Sequence, residues 1–148
     1  MAIGADIVPI TGENRLLAYY GIQEINQNPR PAWQALIQVA GLKTPLNIEK
    51  EVFGFAPRIN AAGRMSHADA ALKLMLEDDL EKAYQFADAL HQKNAQRRQY
   101  DSSTTEQALE MIETDPNLQQ ASSTVLFNPD WHKGIVGIVA SRCIEKYY

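Results

Sequence analysis

The spacing of apolar residues predicts that most of the chain is helical. A first helix is expected over residues 11–26, where apolar side chains recur with a partly helical period. The sequence Asn-Pro-Arg-Pro at 28–31 interrupts it, and Pro31 suits the first position of a second helix that stops at Gly41. A third helical stretch is expected to begin near Asn47.

Residues 79–114 contain neither proline nor glycine and keep helical spacing, which predicts one long helix. At 1.5 Å per residue it would be about 50 Å long, more than a compact domain of this size needs. Because the middle of this helix, at 94–105, is polar, we expect the helix to connect two lobes. Four of its residues are candidate phosphate contacts or, alternatively, a solvated helix face: Lys93, Asn94, Arg97 and Arg98.

The last part of the chain has the pattern of an α/β unit. Residues 123–127 predict a short buried strand, 128–130 (Asn-Pro-Asp) a turn, and the following residues a helix. Because a lone strand is not a stable sheet, we expect the chain to be part of a larger α/β protein. The fold class predicted for the chain itself is mainly α-helical, with a long connector helix and the start of a second α/β lobe.

Composition limits the functional classes. With 148 residues and 45% apolar content, the chain could form one ordinary domain or parts of two. A net charge of −4 argues against broad coating of duplex nucleic acid, but a local basic groove would still suit a single strand. A single cysteine, no secretory signal pattern and no apolar run of about eighteen residues indicate a cytoplasmic protein without membrane association.

The stretch from His132 to Arg142 combines small residues with groups that bind phosphate. If Gly134 opens a helix, then Gly134, Gly137 and Ser141 lie at i, i+3 and i+7 and leave a groove without bulky side chains beside Arg142. The free N–H groups at a helix start also favour an anion. Tight packing of a helix against a sheet is the alternative, since the intervening isoleucines and valines supply a buried face.

Two further places carry candidate chemistry. Asp6 lies among apolar residues, where a carboxylate is costly unless it is paired or bound to a metal, and a turn or helix-capping role is the alternative. One carboxylate cannot hold a catalytic divalent ion, and the sequence offers no other cluster of ligands. Arg58 and Arg64 alternate with small residues, and arginine forks suit phosphate recognition. Phe53 and Phe55 could stack on bases or belong to the core.

Three stretches resemble consecutive motifs of the RecJ family of single-strand-specific 5′→3′ DNA exonucleases, in the DHH phosphoesterase superfamily. They are residues 5–15 (Ala-Asp-Ile-Val-Pro-Ile-Thr-Gly-Glu-Asn-Arg), 56–65 (Ala-Pro-Arg-Ile-Asn-Ala-Ala-Gly-Arg-Met) and 128–142 (Asn-Pro-Asp-Trp-His-Lys-Gly-Ile-Val-Gly-Ile-Val-Ala-Ser-Arg). Their order and spacing agree with the family, and the resemblance covers essentially the whole chain. The upstream Asp-rich motifs and the Asp-His-His triplet of the superfamily are absent here.

The resemblance implies roles in catalysis for the first two stretches. Asp6 would be the last acidic ligand of a centre with two Mn²⁺ or Mg²⁺ ions, although this chain has Ile3-Gly4 where the family usually has threonine. Arg58, Asn60 and Arg64 would form the arginine motif beside the catalytic cleft.

The resemblance implies substrate binding for the third stretch. His132, Gly134, Gly137, Ser141 and Arg142 would belong to the phosphate-binding motif, with Ser141 and Arg142 holding the 5′ end of the strand. Residues 1–65 would end the DHH catalytic domain, 66–115 would be the helical connector, and 116–148 would begin the DHH-associated substrate-binding domain.

The implied function is hydrolysis of single-stranded DNA in repair and recombination. Single-stranded DNA would be the substrate, with a single-strand-binding protein and a helicase as further partners. We expect this chain alone to be inactive, because Asp6 lacks its co-ligands; robust cleavage of 5′-phosphorylated single-stranded DNA with Mn²⁺ would contradict that expectation.

Two other kinds of protein, with functions that differ from a DNA exonuclease, are alternatives. A DHH phosphoesterase acting on oligoribonucleotides or cyclic dinucleotides would carry a Gly-Gly-Gly-His pattern, whereas residues 132–137 are His-Lys-Gly-Ile-Val-Gly. A noncatalytic scaffold relative would have lost its metals, and the presence of Asp6, Arg64, His132 and Arg142 together argues against it.

Overall fold

The computed structural model describes residues 2–5, 8–65 and 67–147 and is mainly helical. The helices of this part of the chain are α1 (Ala2–Ala5), α2 (Gly12–Gln27), α3 (Pro31–Ala40), α4 (Ile48–Gly54), α5 (Ala56–Met65), α6 (Asp69–Leu76), α7 (Leu80–Thr114), α8 (Pro116–Gln120) and α9 (Val136–Tyr147). None of them has the length and apolarity that a membrane span requires.

The helix ends follow the turn and capping residues in the sequence. Pro31 opens α3, and Gly41 ends it with a φ of 63°, in the left-handed region that glycine adopts without a steric cost. The side chain of Asn47 accepts a hydrogen bond from the Lys50 backbone N–H at 2.9 Å and caps α4. The predicted helices α2, α3 and α4 are therefore confirmed.

The predicted long helix is confirmed as α7, with 35 residues. The chain divides into two compact units, Met1–Asn94 and Ala95–Tyr148, and the boundary between them falls inside α7. The domain limits that the family resemblance implies, at residues 65 and 115, stay a prediction about the larger protein.

The first unit has an apolar core to which α2, α3, α5, α6 and the first half of α7 contribute, together with Leu46 and Phe55 on either side of α4. Its fully buried large side chains include Leu36, Phe55, Leu74 and Leu90, each 0% exposed. The ring centroid of Phe55 lies 5.5 Å from that of Trp33. Phe55 is thus a core residue, whereas Phe53 is 71% exposed.

The second unit is built from the rest of α7, α8, α9 and the segment between α8 and α9. Ala108 and Ile112 of α7 are buried, as are Ile135 and Val139 at the start of α9. Between α8 and α9 the chain is irregular, which overturns the buried strand predicted at 123–127. Val125 is 86% and Phe127 77% exposed, and no described segment forms a strand that could pair with them.

One face of the polar middle of α7 is buried. Asn94 is 2% exposed, Asp101 4%, Thr104 4% and Thr105 9%, whereas Arg98 is exposed. The alternative that residues 93–98 form a solvated helix face is therefore wrong for Asn94. These buried polar residues lie on the same face of α7 as its buried apolar residues. The buried face of the helix therefore continues through its polar middle, although the residue type changes.

Replacing Leu90 tests the core of the first unit. Leu90→Ala is expected to lower the free energy of unfolding by about 2–5 kcal/mol, because it removes buried methyl groups and leaves a cavity. Leu72→Ala, at a side chain of α6 that is 57% exposed, should change it by less than about 0.5 kcal/mol. Urea unfolding followed by circular dichroism measures both, and equal losses would contradict this core.

Candidate nucleic-acid interface

A short turn leads into the glycine-containing stretch of the second unit. The Asn128 side chain accepts a hydrogen bond from the Asp130 N–H at 2.9 Å, and the Trp131 N–H donates to the Asn128 carbonyl at 3.1 Å. The predicted turn is thus confirmed. The Trp131 indole N–H donates to the Gln107 side chain of α7 at 2.8 Å, which fixes the turn against that helix.

His132 is held from two sides. Its Nδ1 accepts a hydrogen bond from the Gly134 N–H at 3.1 Å, and its ring stacks on Tyr100 with 5.8 Å between centroids and 28° between planes. A neutral imidazole that accepts at Nδ1 carries its proton on Nε2. This hydrogen bond therefore assigns Nε2 as the donor that His132 can offer to a phosphate.

Gly134 lies in the turn before α9. The Ile135 N–H donates to the His132 carbonyl at 2.9 Å, and the helix itself begins at Val136. The predicted helix start was two residues early, a difference within the ordinary uncertainty of helix ends.

Gly137 and Ser141 share one face of α9. Ser141 Oγ donates to the Gly137 carbonyl at 3.1 Å, and both residues are exposed. A Cβ placed on Gly137 would meet no atom within 4 Å. Among the described residues, close packing therefore does not require a glycine here, and the surface is open to a ligand's approach.

Arg142 follows Ser141 in the chain and lies about 100° further around α9. Its Nη2 donates to Asp101 Oδ2 of α7 at 2.8 Å, and the two side chains are 48% and 5% exposed, respectively. This hydrogen bond uses one of the five N–H donors of a guanidinium. The half-exposed side chain can therefore donate to a phosphate while it stays bound to Asp101.

The other predicted arginine motif lies on α5 in the first unit. Asn60 and Arg64 are exposed and one helical turn apart, so they share a face. Arg58 is only 7% exposed. Its Nη1 donates to the Gly54 carbonyl and its Nε to His91 Nδ1 at 3.2 Å, so it links α5 to α4 and α7.

In sequence and fold, the chain is similar to RecJ exonucleases. It is 37% identical over 150 residues to the single-stranded-DNA-specific exonuclease RecJ of Bacillus subtilis (strain 168), over 99% of this chain and 19% of that protein. It matches the crystal structure of RecJ in complex with Mn²⁺ from Thermus thermophilus with a TM-score of 0.82 and 34% identity, over 98% of this chain and 22% of that one.

The crystal structure of exonuclease RecJ bound to manganese gives a TM-score of 0.86 at 34% identity, over 99% of this chain and 37% of that one. The chain is thus similar to one part of the RecJ exonucleases. It spans between 19% and 26% of the length of the curated RecJ proteins that it matches. No protein-family model matches the chain.

The described residues do not form a metal centre. Within residues 2–5, 8–65 and 67–147, no three histidine, cysteine, aspartate or glutamate residues are grouped so that they could hold a metal ion. Asp6, the predicted metal ligand, lies outside the described residues. Its metal-binding role stays a prediction.

Two residues that contact the motif at 132–142 were missed by the sequence analysis. Tyr100 and Asp101 are neighbours on α7 and contact His132 and Arg142, respectively. The helical register of α7 offered a signal for Asp101, because it continues the buried face on which Leu90 lies. No sequence pattern indicated that Arg142 would be its partner.

A second ion pair joins α9 to α7. Lys146 Nζ donates to Glu113 Oε1, and the Tyr147 hydroxyl lies 3.2 Å from the same oxygen. The hydrogen bond from Lys146, with its positive charge, lowers the pKa of Glu113 below its ordinary value. The same hydrogen bond raises the pKa of Lys146. Both groups are exposed, so solvent screening limits what the pair contributes to stability.

The pH dependence of this pair has a definite sign. Because the folded pKa of Glu113 is lowered, its stabilisation is present above the unfolded pKa and is lost as pH falls through the folded pKa. Glu113→Gln should therefore destabilise the chain at pH 6 and have a smaller effect at lower pH. Urea unfolding of both proteins across this range measures the difference, and a difference that grows on acidification would contradict the pair.

Proposed function

We propose that this RecJ-family segment belongs to a single-strand-specific 5′→3′ DNA exonuclease and binds the DNA strand through its phosphates. The names of its relatives support the activity. The observation that carries phosphate binding is the half-exposed guanidinium of Arg142, and Gly137, elsewhere on the exposed surface of α9, offers no side chain. A phosphate can approach such a backbone closely and accept hydrogen bonds from a guanidinium.

Three side chains would supply the donors. His132 offers Nε2, Arg142 offers the rest of its fork, and Ser141 offers its hydroxyl once that group leaves the Gly137 carbonyl. Ser141 must break a hydrogen bond to donate, so we expect it to contribute less than Arg142. The assignment of Gly134 to this interface is part of the same proposal.

Catalysis would need residues outside this interface. RecJ structures similar to this chain are in complex with Mn²⁺ or Mg²⁺. We propose that Asp6 supplies one carboxylate to a centre for two such ions in the larger protein. Asn60 and Arg64 would lie beside the cleft, whereas buried Arg58 would hold α5 in place.

The proposal extends to the cellular role. The larger protein would act in the cytoplasm in DNA repair and recombination, with single-stranded DNA as substrate and a single-strand-binding protein and a helicase as partners. The names of the relatives favour a single-stranded-DNA exonuclease over an oligoribonuclease, a cyclic-dinucleotide phosphodiesterase or a noncatalytic scaffold.

Arg142→Gln tests the phosphate contact. The variant is expected to bind a 5′-phosphorylated single strand about tenfold more weakly and to reduce the slope of log affinity against log salt by about 0.7, the value for one lost contact. Fluorescence anisotropy of a labelled oligonucleotide between about 50 and about 200 mM salt measures both quantities.

Lys146→Gln is the matched control, because it removes one positive charge from the same helix, one turn further on. It should change the affinity much less than Arg142→Gln does. Circular dichroism must show that the Arg142 variant is folded, since the change leaves the buried carboxylate of Asp101 without its cation. Equal losses in the two variants would show a general charge effect and contradict a phosphate contact at Arg142.

Gly137→Ala separates stability from binding. Because a Cβ at this position meets no atom within 4 Å, the variant should gain up to about 1 kcal/mol of stability from the higher helix propensity of alanine. It should also bind the strand more weakly, since the methyl group lies where the backbone would approach.

Gly21→Ala is the control, because Gly21 lies in the middle of α2 and also has no atom within 4 Å of an added Cβ. It should gain similar stability without a change in strand affinity. Thermal unfolding and anisotropy provide the two measurements. Strand affinity that is equally unaffected in both variants would contradict an interface on this face of α9.

A further inference from the structure

We propose that Asp101 is a positioning residue for DNA binding: its buried carboxylate holds the guanidinium of Arg142 in the orientation that receives a phosphate. The inference rests on the proposed function and adds a residue of α7 that does not itself contact the strand. Asp101 lies in the connector helix, 41 residues before Arg142 in the chain.

The first argument is the environment of Asp101. The residue is 4% exposed, and its Oδ2 accepts the hydrogen bond from Arg142 at 2.8 Å. Its other oxygen, Oδ1, is buried and makes no hydrogen bond in the described part of the chain. A buried carboxylate needs a cation nearby, so the position of Arg142 is tied to that of Asp101.

The second argument is the conformational freedom of arginine. A solvated arginine loses rotamer entropy when a ligand immobilises it, and an arginine that is already held loses less. Arg142 is 48% exposed and anchored at one end of its fork. Asp101 therefore prepares Arg142 for binding before any strand arrives.

The opposite effect of Asp101 on strand binding is also physically reasonable, and the experiment distinguishes the two effects. A carboxylate next to a phosphate site repels the phosphate and competes for the guanidinium. If that effect dominates, removing the carboxylate should strengthen binding. If positioning dominates, its removal should weaken binding and also reduce the contribution of Arg142.

The experiment is a double-mutant cycle in strand affinity. It compares wild type, Asp101→Ala, Arg142→Gln and the double variant on a 5′-phosphorylated oligonucleotide. Positioning predicts that Arg142→Gln weakens binding about tenfold when Asp101 is present but about threefold or less in the Asp101→Ala background. It also predicts that Asp101→Ala alone lowers the salt slope, which a loss of folded protein would not do.

Two further variants protect the interpretation. Asp101→Asn is nearly isosteric and replaces Asp101→Ala if that variant does not fold; the Arg142 contribution should then shrink less but in the same direction. Glu113→Gln removes one negative charge from the same helix at an exposed pair with Lys146. It controls for net charge and should leave the Arg142 contribution unchanged.

The outcomes separate this inference from the proposed function. If Arg142→Gln has no effect on strand binding in the wild-type background, the proposed function of the motif fails. If Arg142→Gln weakens binding equally in both backgrounds, or more strongly without Asp101, the proposed function stands and positioning by Asp101 is overturned.

Discussion

The second unit depends on one electrostatic constraint, the burial of a carboxylate on α7. A charge removed from water destabilises the folded chain unless an opposite charge and hydrogen bonds compensate it. Asp101 meets this requirement only through Arg142 among the contacts of the described residues. The pairing therefore helps to set where the middle of α9 lies against α7, and it positions the motif at 132–142, for which phosphate binding is proposed, at the same time.

The same constraint links stability to function at Arg142. The residue supports a buried anion on one side and is half-exposed on the other. Under the proposed function, a substitution there should change both folding and binding, which is why charge-matched controls on the same helices are needed. At Gly137 stability and the proposed function are opposed. Its open surroundings permit a larger residue, and α9 would be more stable with alanine there.

Much of the helical structure could be predicted from the sequence because local signals determine it. Pro31, Gly41 and Asn47 mark helix ends through backbone geometry and capping, and the absence of proline and glycine predicted α7. The strand at 123–127 was predicted wrongly, because its apolar residues indicate burial only if a partner strand exists. The burial of Asn94 and Asp101 was missed, because their polarity suggested solvent although the register of α7 placed them on its buried face.

The candidate site was predicted less completely than the helices. Motif resemblance pointed to His132, Ser141 and Arg142, but the contacts of these residues are long-range and leave no local pattern. Tyr100 and Asp101 meet the motif only after the chain has folded back along α7. Arg58 has the residue type that suits a phosphate site, yet its burial depends on packing between α4, α5 and α7.

The central claim is that a DNA strand binds at α9 through Arg142. The most direct measurement is a nuclear magnetic resonance titration of the labelled chain with a 5′-phosphorylated single strand. The account predicts that the Arg142 side-chain Nε–H signal and the backbone amides of Gly137 and Ser141 shift together and saturate with one affinity. Shifts confined to other surfaces, with these signals unmoved at saturation, would contradict it.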